Sequence, residues 1–486
     1  MVRAMVGLAL WLMPLAAYAE MGPMPGEERF KGLVPGDQQT VGMGLGVGQI
    51  DEDYFVQLAL KTELNLGPVG LGLQVPLNLR VWDKDPKATG DYYGRIRQED
   101  WQRPADYLKV IRYLRLGHKR DQFYLRAGEL AASLGHGTIM NRYLNNLDVN
   151  AFRVGSEFDI NTDYAGIETV ISDFGTLIDT KNPDSRIFAL RGYVRPVALA
   201  DPSSVANIFS FGVSVVTDTN APRTFTQATD ANGDPVPVVE RGRLKVDSTS
   251  AATVWGVDAE AEVLHSAILD LVPYTDMNFI NGAGWGWHAG VLATAKMPIG
   301  FDLTIPVRLE YRRFKSNYVP SYFSTFYEIE RYAGIDRAQA GAGAPTPKAE
   351  YVRNLPNAGG LNGYYGDLAF DFAGIFQVGA VYEDYASTDP AIGPNLQAFL
   401  AVPALETIQF KAFYARTHIK GVNDIVKFDE RSMAVVEARY QLISYVYLVG
   451  RGTRRWVLVT DQAATDFGQY KASTDWKFGL EMSLSF

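Results

Sequence analysis

Residues 476–486, WKFGLEMSLSF, alternate without a miss: Trp476, Phe478, Leu480, Met482, Leu484 and Phe486 fall on one face, and Lys477, Gly479, Glu481, Ser483 and Ser485 on the other. A period of two is that of a β-strand, so this strand has one wholly apolar face. The pattern recurs upstream. From 299 to 312, Ile299, Phe301, Leu303, Ile305, Val307, Leu309 and Tyr311 oppose Asp302, Thr304, Pro306, Arg308, Glu310 and Arg312. From 54 to 66, Tyr54, Val56, Leu58, Leu60, Leu64 and Leu66 oppose Gln57, Lys61 and Glu63. After a Gly67-Pro68 turn, a second apolar face runs from Val69 to Val81 with Arg80 on its reverse. Between 152 and 160, Phe152, Val154, Phe158 and Ile160 oppose Arg153, Glu157 and Asp159. Charges fall repeatedly on the side opposite the apolar stripe.

Composition agrees with an all-β chain. Of 486 residues, 12% are aromatic and 46 are glycine, and the 21% of charged residues with so many aromatics argue against a disordered chain. A formal net charge of −9 gives no support to a nucleic-acid partner. With no cysteine there is no disulfide framework, thiol catalyst, cysteine-based metal site or lipid-modified cysteine. Residues 1–19 read as a secretory signal: Arg3, an apolar run from Met5 to Met13, and Ala17-Tyr18-Ala19 before Glu20. Residues 20–40 are then expected to be an N-terminal periplasmic segment and 41–486 a single domain. No later stretch reaches the ~20 apolar residues of a spanning helix. In a membrane, such a chain spans only as a closed barrel, which pairs every backbone polar group.

The C-terminal strand resembles that of bacterial outer-membrane β-barrels, which typically end in an aromatic residue, usually phenylalanine. The resemblance implies that Trp476, Phe478, Leu480, Met482, Leu484 and Phe486 form the signal read by the barrel-assembly machinery, and that the apolar faces meet outer-membrane lipid. Connections support it: short ones at Gly67-Pro68, Asn161–Asp163 and Met297-Pro298 are interspersed with long ones at 83–105, 131–150, 218–252 and 316–362. The expectation is a closed antiparallel transmembrane barrel of about 18 strands, within a range of 16 to 20. Pro76 and Pro306 lie inside good strands, facing the lumen, and predict local bulges. The segment 108–116 is ambiguous because Arg112 sits in register with apolar residues, and 265–284 reads as either a strand or a loop.

Candidate functional residues follow from the inner face: Lys61, Glu63, Arg80, Arg153, Glu157, Asp159, Asp302, Arg308, Glu310 and Arg312 are expected to line a pore. Alternatively, they pair as salt bridges in a filled interior. The loop at 131–150, with His136, Asn141, Arg142 and Asp148, follows the fifth strand by this count, and general porins are similar in folding that loop inward as a constriction; an external loop is the alternative. Gly42, Gly44, Gly46 and Gly48 keep a strict period of two, unlike a phosphate loop, and leave room on the inner face for a loop or plug. Asp230, Asn232 and Asp234 open like a calcium loop, but Pro235 and Arg241 depart from it. The five histidines, His118, His136, His265, His288 and His418, are scattered singly, so neither a metal site nor a cofactor is expected. The aromatic run Tyr318, Tyr322, Phe323, Phe326, Tyr327 and Tyr332 reads as packing within a long loop. The expected function is a non-enzymatic channel for small hydrophilic solutes. The alternatives are a loop-plugged export conduit, a surface receptor and an outer-membrane lipid hydrolase pairing serine with histidine. Nothing in the sequence marks a subunit interface.

Overall fold

The computed structural model describes residues 40–50, 53–83, 95–97, 100–101, 104–119, 121–146, 152–179, 182–202, 204–229, 235–240, 243–298, 300–333, 346–355, 360–386, 393–402, 407–429, 431–459 and 470–485. The signal segment, the residues around the calcium-like spacing, Asp148 and Phe486 therefore lie outside the described residues. The wall of the molecule is β1 (Thr40–Ile50), β2 (Asp53–Leu66), β3 (Val69–Trp82), β4 (Ile111–Leu116), β5 (Phe123–Gly128), β6 (Gly155–Asn161), β7 (Ala165–Ile171), β8 (Ile187–Val194), β9 (Phe209–Phe225), β10 (Val246–Ala261), β11 (Leu269–Ile280), β12 (Trp285–Pro298), β13 (Asp302–Lys315), β14 (Gly360–Phe372), β15 (Phe376–Tyr385), β16 (Asn395–Val402), β17 (Ile408–Arg416), β18 (Ser432–Ile443), β19 (Val446–Leu458) and β20 (Tyr470–Ser485). Each strand pairs antiparallel with the next, and β1 closes on β20 from Thr40↔Ser485 to Gln49↔Trp476. A two-residue piece, Leu264–His265, adds to β11 at the rim.

Twenty strands exceed the expected 18 and sit at the top of the expected range. The strands from β4 to β8 are short, six to eight residues each. Around Arg112 the register of β4 on β3 shifts, from Gly72↔Tyr113 to Leu73↔Ile111, and this bulge turns a residue in apolar register inward. The 265–284 segment resolves into β11. The supposed 218–252 loop is shorter, because β9 and β10 pair as far as Phe225↔Val246. Neither proline makes a bulge. Pro76 keeps register with Ala59 and lies beyond the reach of short β4, and at Pro306 the β13–β14 ladder lapses between Thr304↔Asp371 and Val307↔Leu368 without a shift. In both cases the missing N–H is accommodated by leaving a stretch of ladder unpaired.

The connections segregate. One rim carries 67–68, 117–122, 162–164, 299–301, 373–375, 403–407 and 444–445, with 195–208 its longest; the other carries 83–110, 129–154, 226–245, 316–359 and 417–431, with short exceptions at 51–52 and 281–284. Polarity is inverted relative to a water-soluble protein. Leu60, Leu190, Val213, Leu309, Tyr364 and Phe478 point outward and are exposed, whereas Arg80, Arg115, Arg308 and Arg312 point inward and are buried. An apolar outer band around a charged interior is the distribution that hydrocarbon outside and water or protein inside require. Leu480, mid-way along the apolar face of β20, tests that band: Leu480→Arg is expected to lower barrel stability by about 2–4 kcal/mol in lipid vesicles, read by urea unfolding and heat-modifiable gel mobility.

Candidate functional site: a lumen divided by two inserted loops

The connection after β5 turns into the barrel. Ala131–Ala132 pairs with Tyr143–Leu144 to make a small hairpin, and Leu134 N–H donates to the Met140 carbonyl at 3.2 Å to close its tip. Glycine is required at that tip. Gly135 and Gly137 have φ of +54° and +74°, and a Cβ on either would lie 2.8 Å from Arg191 or Arg308 on the wall. The hairpin crosses the lumen, because its hydrogen bonds fall on strands far apart around the wall. Gly135 N–H donates to Glu168 on β7 at 2.9 Å, Asn141 to the Tyr365 hydroxyl on β14 at 3.3 Å, and Arg142 to Asp367 on β14 at 2.8 Å.

His136 is the centre of this clasp. Its ring stacks on Tyr274 at 4.0 Å between centroids, Nδ1 lies 3.1 Å from Asp276 on β11, and Nε2 lies 2.8 Å from Glu260 on β10. Both nitrogens face carboxylates, so both carry protons and the ring is an imidazolium. Burial alone would push its pKa down; Asp276 and Glu260 overturn that and raise it from 6.5 to about 9. Thr138 adds a 3.1 Å hydrogen bond to Asp276 and accepts one from Asn278 at 2.9 Å.

The β13–β14 connection enters beside the hairpin and pairs with it: Met140 bridges Phe323, Phe323 N–H donates to the Ile139 carbonyl at 3.1 Å, and Ser321 N–H to the Thr138 carbonyl at 2.9 Å. Two short helices follow, α1 (Tyr327–Ala333) and α2 (Lys348–Asn354). Buried charges fix α1. Glu328 accepts hydrogen bonds from Tyr143 and Ser185 and pairs with Arg153 at 3.3 Å; Arg331 pairs with Asp218 at 3.2 Å; Glu330 pairs with Lys348 of α2 at 2.7 Å. Phe326 and Ile329 join a core with Phe399, Phe413, Met433 and Trp456, carrying the plug across to β16–β19.

The candidate pore residues separate into two groups. Arg308, Glu310 and Arg312 project inward from β13 but lie under the loops: Arg308 and Arg312 donate to Glu310 at 2.7 and 2.6 Å, and Arg312 reaches Glu383 at 2.9 Å. Arg153 precedes β6 and pairs with Asp184 at 3.0 Å, while Glu157 and Asp159 each lie 3.6 Å from Lys119. Asn141 and Arg142 are in the lumen-crossing hairpin. Asp302 is exposed at the short-loop rim. On the other side, Lys61, Glu63 and Arg80 belong to a wall formed by β18–β20 and β1–β5. Register lines up Lys411, Glu437, Arg451, Lys477, Gly48, Phe55 and Arg80 as one row across seven strands, and Arg112 pairs with Glu63. Glu129, at the root of the hairpin, sits among Arg112, Arg126, Arg451 and Lys61; burial lifts its carboxyl above the ordinary range against the pull of those four cations.

Sequence reading missed Glu260, Asp276, Glu328, Arg331, Arg451 and Lys477 as site residues. Alternation with Trp255, Val257, Ala259 and Ala261 marks Glu260; Asp276 lies in a segment that reads as either strand or loop, and Glu328 and Arg331 in a loop whose aromatics dominate its reading. Among the described residues no group of three or more histidine and carboxylate side chains is placed to hold a metal ion. The hydrogen bonds of His136 and His288 go to carboxylates and to the Tyr318 hydroxyl.

The clasp makes a pH dependence. Undocked, His136 has its ordinary pKa of 6.5; docked, about 9. Its contribution to docking, up to about 3 kcal/mol, is complete below pH 6.5 and is lost as pH rises through 9. Amide exchange across residues 133–141 is therefore expected to accelerate between these values in the wild type, and to be fast and nearly pH-independent beyond the intrinsic chemistry in His136→Gln.

No known protein family matches the chain, and no curated protein is similar to it. Among solved structures it is similar to OccK5 (OpdH) of Pseudomonas aeruginosa, with 11% identity over 93% of this chain and 99% of that one and a TM-score of 0.31. The outer membrane protein OprD of the same organism gives 9%, 92%, 94% and 0.32, and OccAB4 of Acinetobacter baumannii 10%, 93%, 100% and 0.31. Likeness at this level carries no argument about what the chain does, and the barrel rests on its own strand pairing.

Proposed function

We propose that the protein is an outer-membrane channel for small hydrophilic solutes, with passage confined to the side of the lumen bounded by β18–β20 and β1–β5. One observation carries this reading: the interior is asymmetric. The inserted loops clasp the wall from β7 round to β19 with buried ion pairs and an apolar core, whereas on β20, β1 and β2 the described contacts are those of the wall's own charged side chains, joined by Glu129 near Lys61 and by Arg97 of the 83–110 connection, 6.0 Å from the centroid of the Phe55 ring. The glycine row Gly42, Gly44, Gly46 and Gly48 faces inward on β1, so this wall is thin where Lys61, Lys477 and Glu481 extend from its neighbours. Cations outnumber carboxylates along it, whereas Glu157, Asp159, Glu168, Asp258, Glu260 and Asp276, on β6, β7, β10 and β11, are matched by Lys119, Arg191 and His136. A charged wall of this kind favours polar and charged solutes over apolar ones.

A second reading, a loop-plugged export conduit or surface receptor, is favoured by how deeply α1 and the hairpin are buried, with Tyr143, Phe323 and Tyr327 at 0 to 1% exposure. Planar-bilayer recording under a salt gradient separates the two. A channel gives unitary steps in the wild type. A plugged barrel is silent until residues 316–359 are shortened. If the wall of β18–β20 and β1–β5 is the route, Arg451→Gln with Lys477→Gln shifts selectivity towards cations. A unit charge 4 Å from a permeating ion is worth about 1 kcal/mol even at the dielectric of water, about a fivefold change in permeability ratio. Arg312→Gln, beneath the plug, is expected to raise current noise and leave selectivity nearly unchanged.

A further inference from the structure

The connection between β17 and β18 folds in the opposite sense to the plug loops. Phe413 points into the lumen, so Tyr414 and Arg416 are on the outer face of β17. The loop lies over that outer face. The Tyr414 hydroxyl donates to the carbonyls of Ile425 and Lys427, its ring packs on Phe428 at 5.6 Å, and Arg454, outward on β19, donates to the Phe428 carbonyl at 2.9 Å. Arg416 is buried beneath the loop, pairing with Asp424 at 3.1 Å and donating to Asp429 at 3.0 Å. A loop pinned in this way displays its apolar side chains outward: Val422 is 82% exposed, Val426 75% and Phe428 60%.

Its height matters as much as its direction. Nine residues of β17, tilted as barrel strands are, rise roughly 20 Å along the membrane normal, less than the ~25 Å apolar band. The loop therefore starts within the outer half of the membrane and continues the outward apolar surface of Ile408, Val436 and Tyr440. Lys420 and Lys427 lie beside the exposed apolar residues and are themselves exposed, while Asp424 and Asp429, the loop carboxylates among the described residues, are engaged by Arg416, with Lys427 2.9 Å from Asp424. An apolar tip with lysines at its edges, at acyl-to-headgroup depth, matches an amphiphile with a negative head.

We propose that residues 417–429 form a docking site for a phosphorylated lipid of the outer leaflet, with Val422, Val426 and Phe428 among its acyl chains and Lys420 and Lys427 on its phosphates. The proposal rests on the outer-membrane reading above but not on conduction. The test is native mass spectrometry of the full chain released from detergent, with diphosphorylated lipid A, its dephosphorylated form and phosphatidylethanolamine as probes. Diphosphorylated lipid A is expected to be retained about tenfold better than the dephosphorylated form. Lys420→Gln with Lys427→Gln should abolish that preference, and Val426→Ser with Phe428→Ser should weaken retention of both forms, with heat-modifiable gel mobility confirming that each variant is folded. Equal retention of the two lipid A forms, or no effect of either double variant, overturns the site. So does a dimer or trimer mass that Val426→Ser with Phe428→Ser dissociates, which would assign this face to a second copy of the chain. Bilayer recordings on the same preparations keep the readings apart: unitary steps without phosphate-dependent retention sink the lipid site alone, and retention by a silent barrel sinks the channel alone.

Discussion

Backbone amides and carbonyls have no partners in hydrocarbon, and closure of β1 on β20 is how this chain supplies them. Everything else in the molecule follows from that closure. A sheet closed on itself has an inside and an outside, strand geometry sends alternate side chains to each, and the surroundings decide which face is which. The apolar stripe goes out because lipid offers nothing to a charge. Arginine, lysine and carboxylate side chains then all arrive in one enclosed space, where each needs either water or a partner.

The interior solves this in two ways at once. On one side the plug supplies the partners: Glu328 for Arg153, Asp367 for Arg142, and the paired carboxylates of Asp276 and Glu260 for His136. Burying such groups is tolerable only because each charge meets an opposite one within hydrogen-bond reach. On the other side, Lys411, Glu437, Arg451 and Lys477 follow one another along one row on neighbouring strands, one carboxylate among three cations, with glycines between them and β2. The first arrangement suits a fixed structure and the second suits a hydrated wall.

Strands were legible in the sequence wherever one face stayed apolar over many residues. β2, β3, β13 and β20 read off directly, and so did the short connections after β2, β6 and β12, which share one rim. Short strands were less legible, since six residues of β4 with a bulge at Arg112 hold too little periodicity to declare themselves. Inward-facing charges were legible as inward-facing, but their partners were not. Whether Arg308 meets water or Glu310 under a loop depends on where the 316–359 connection folds, and that is decided by contacts between residues more than a hundred positions apart, such as Tyr143 with Glu328. The inward hairpin was visible as a polar loop with paired glycines, yet its destination was fixed by Glu260 and Asp276, in strands that the sequence had only partly revealed.

The hairpin at 131–146 also acts on the wall itself. A sheet of twenty strands is a wide, thin hoop that bends easily out of round, since its hydrogen bonds resist stretching along the circumference far better than they resist a change of curvature. By holding β7 at Glu168, β10 and β11 at Glu260 and Asp276, and β14 at Tyr365 and Asp367, the hairpin ties distant arcs of that hoop together like a strut across a wheel. The cross-section is thereby braced from within, and β20, β1 and β2 lie outside the arcs that these hydrogen bonds of the hairpin join.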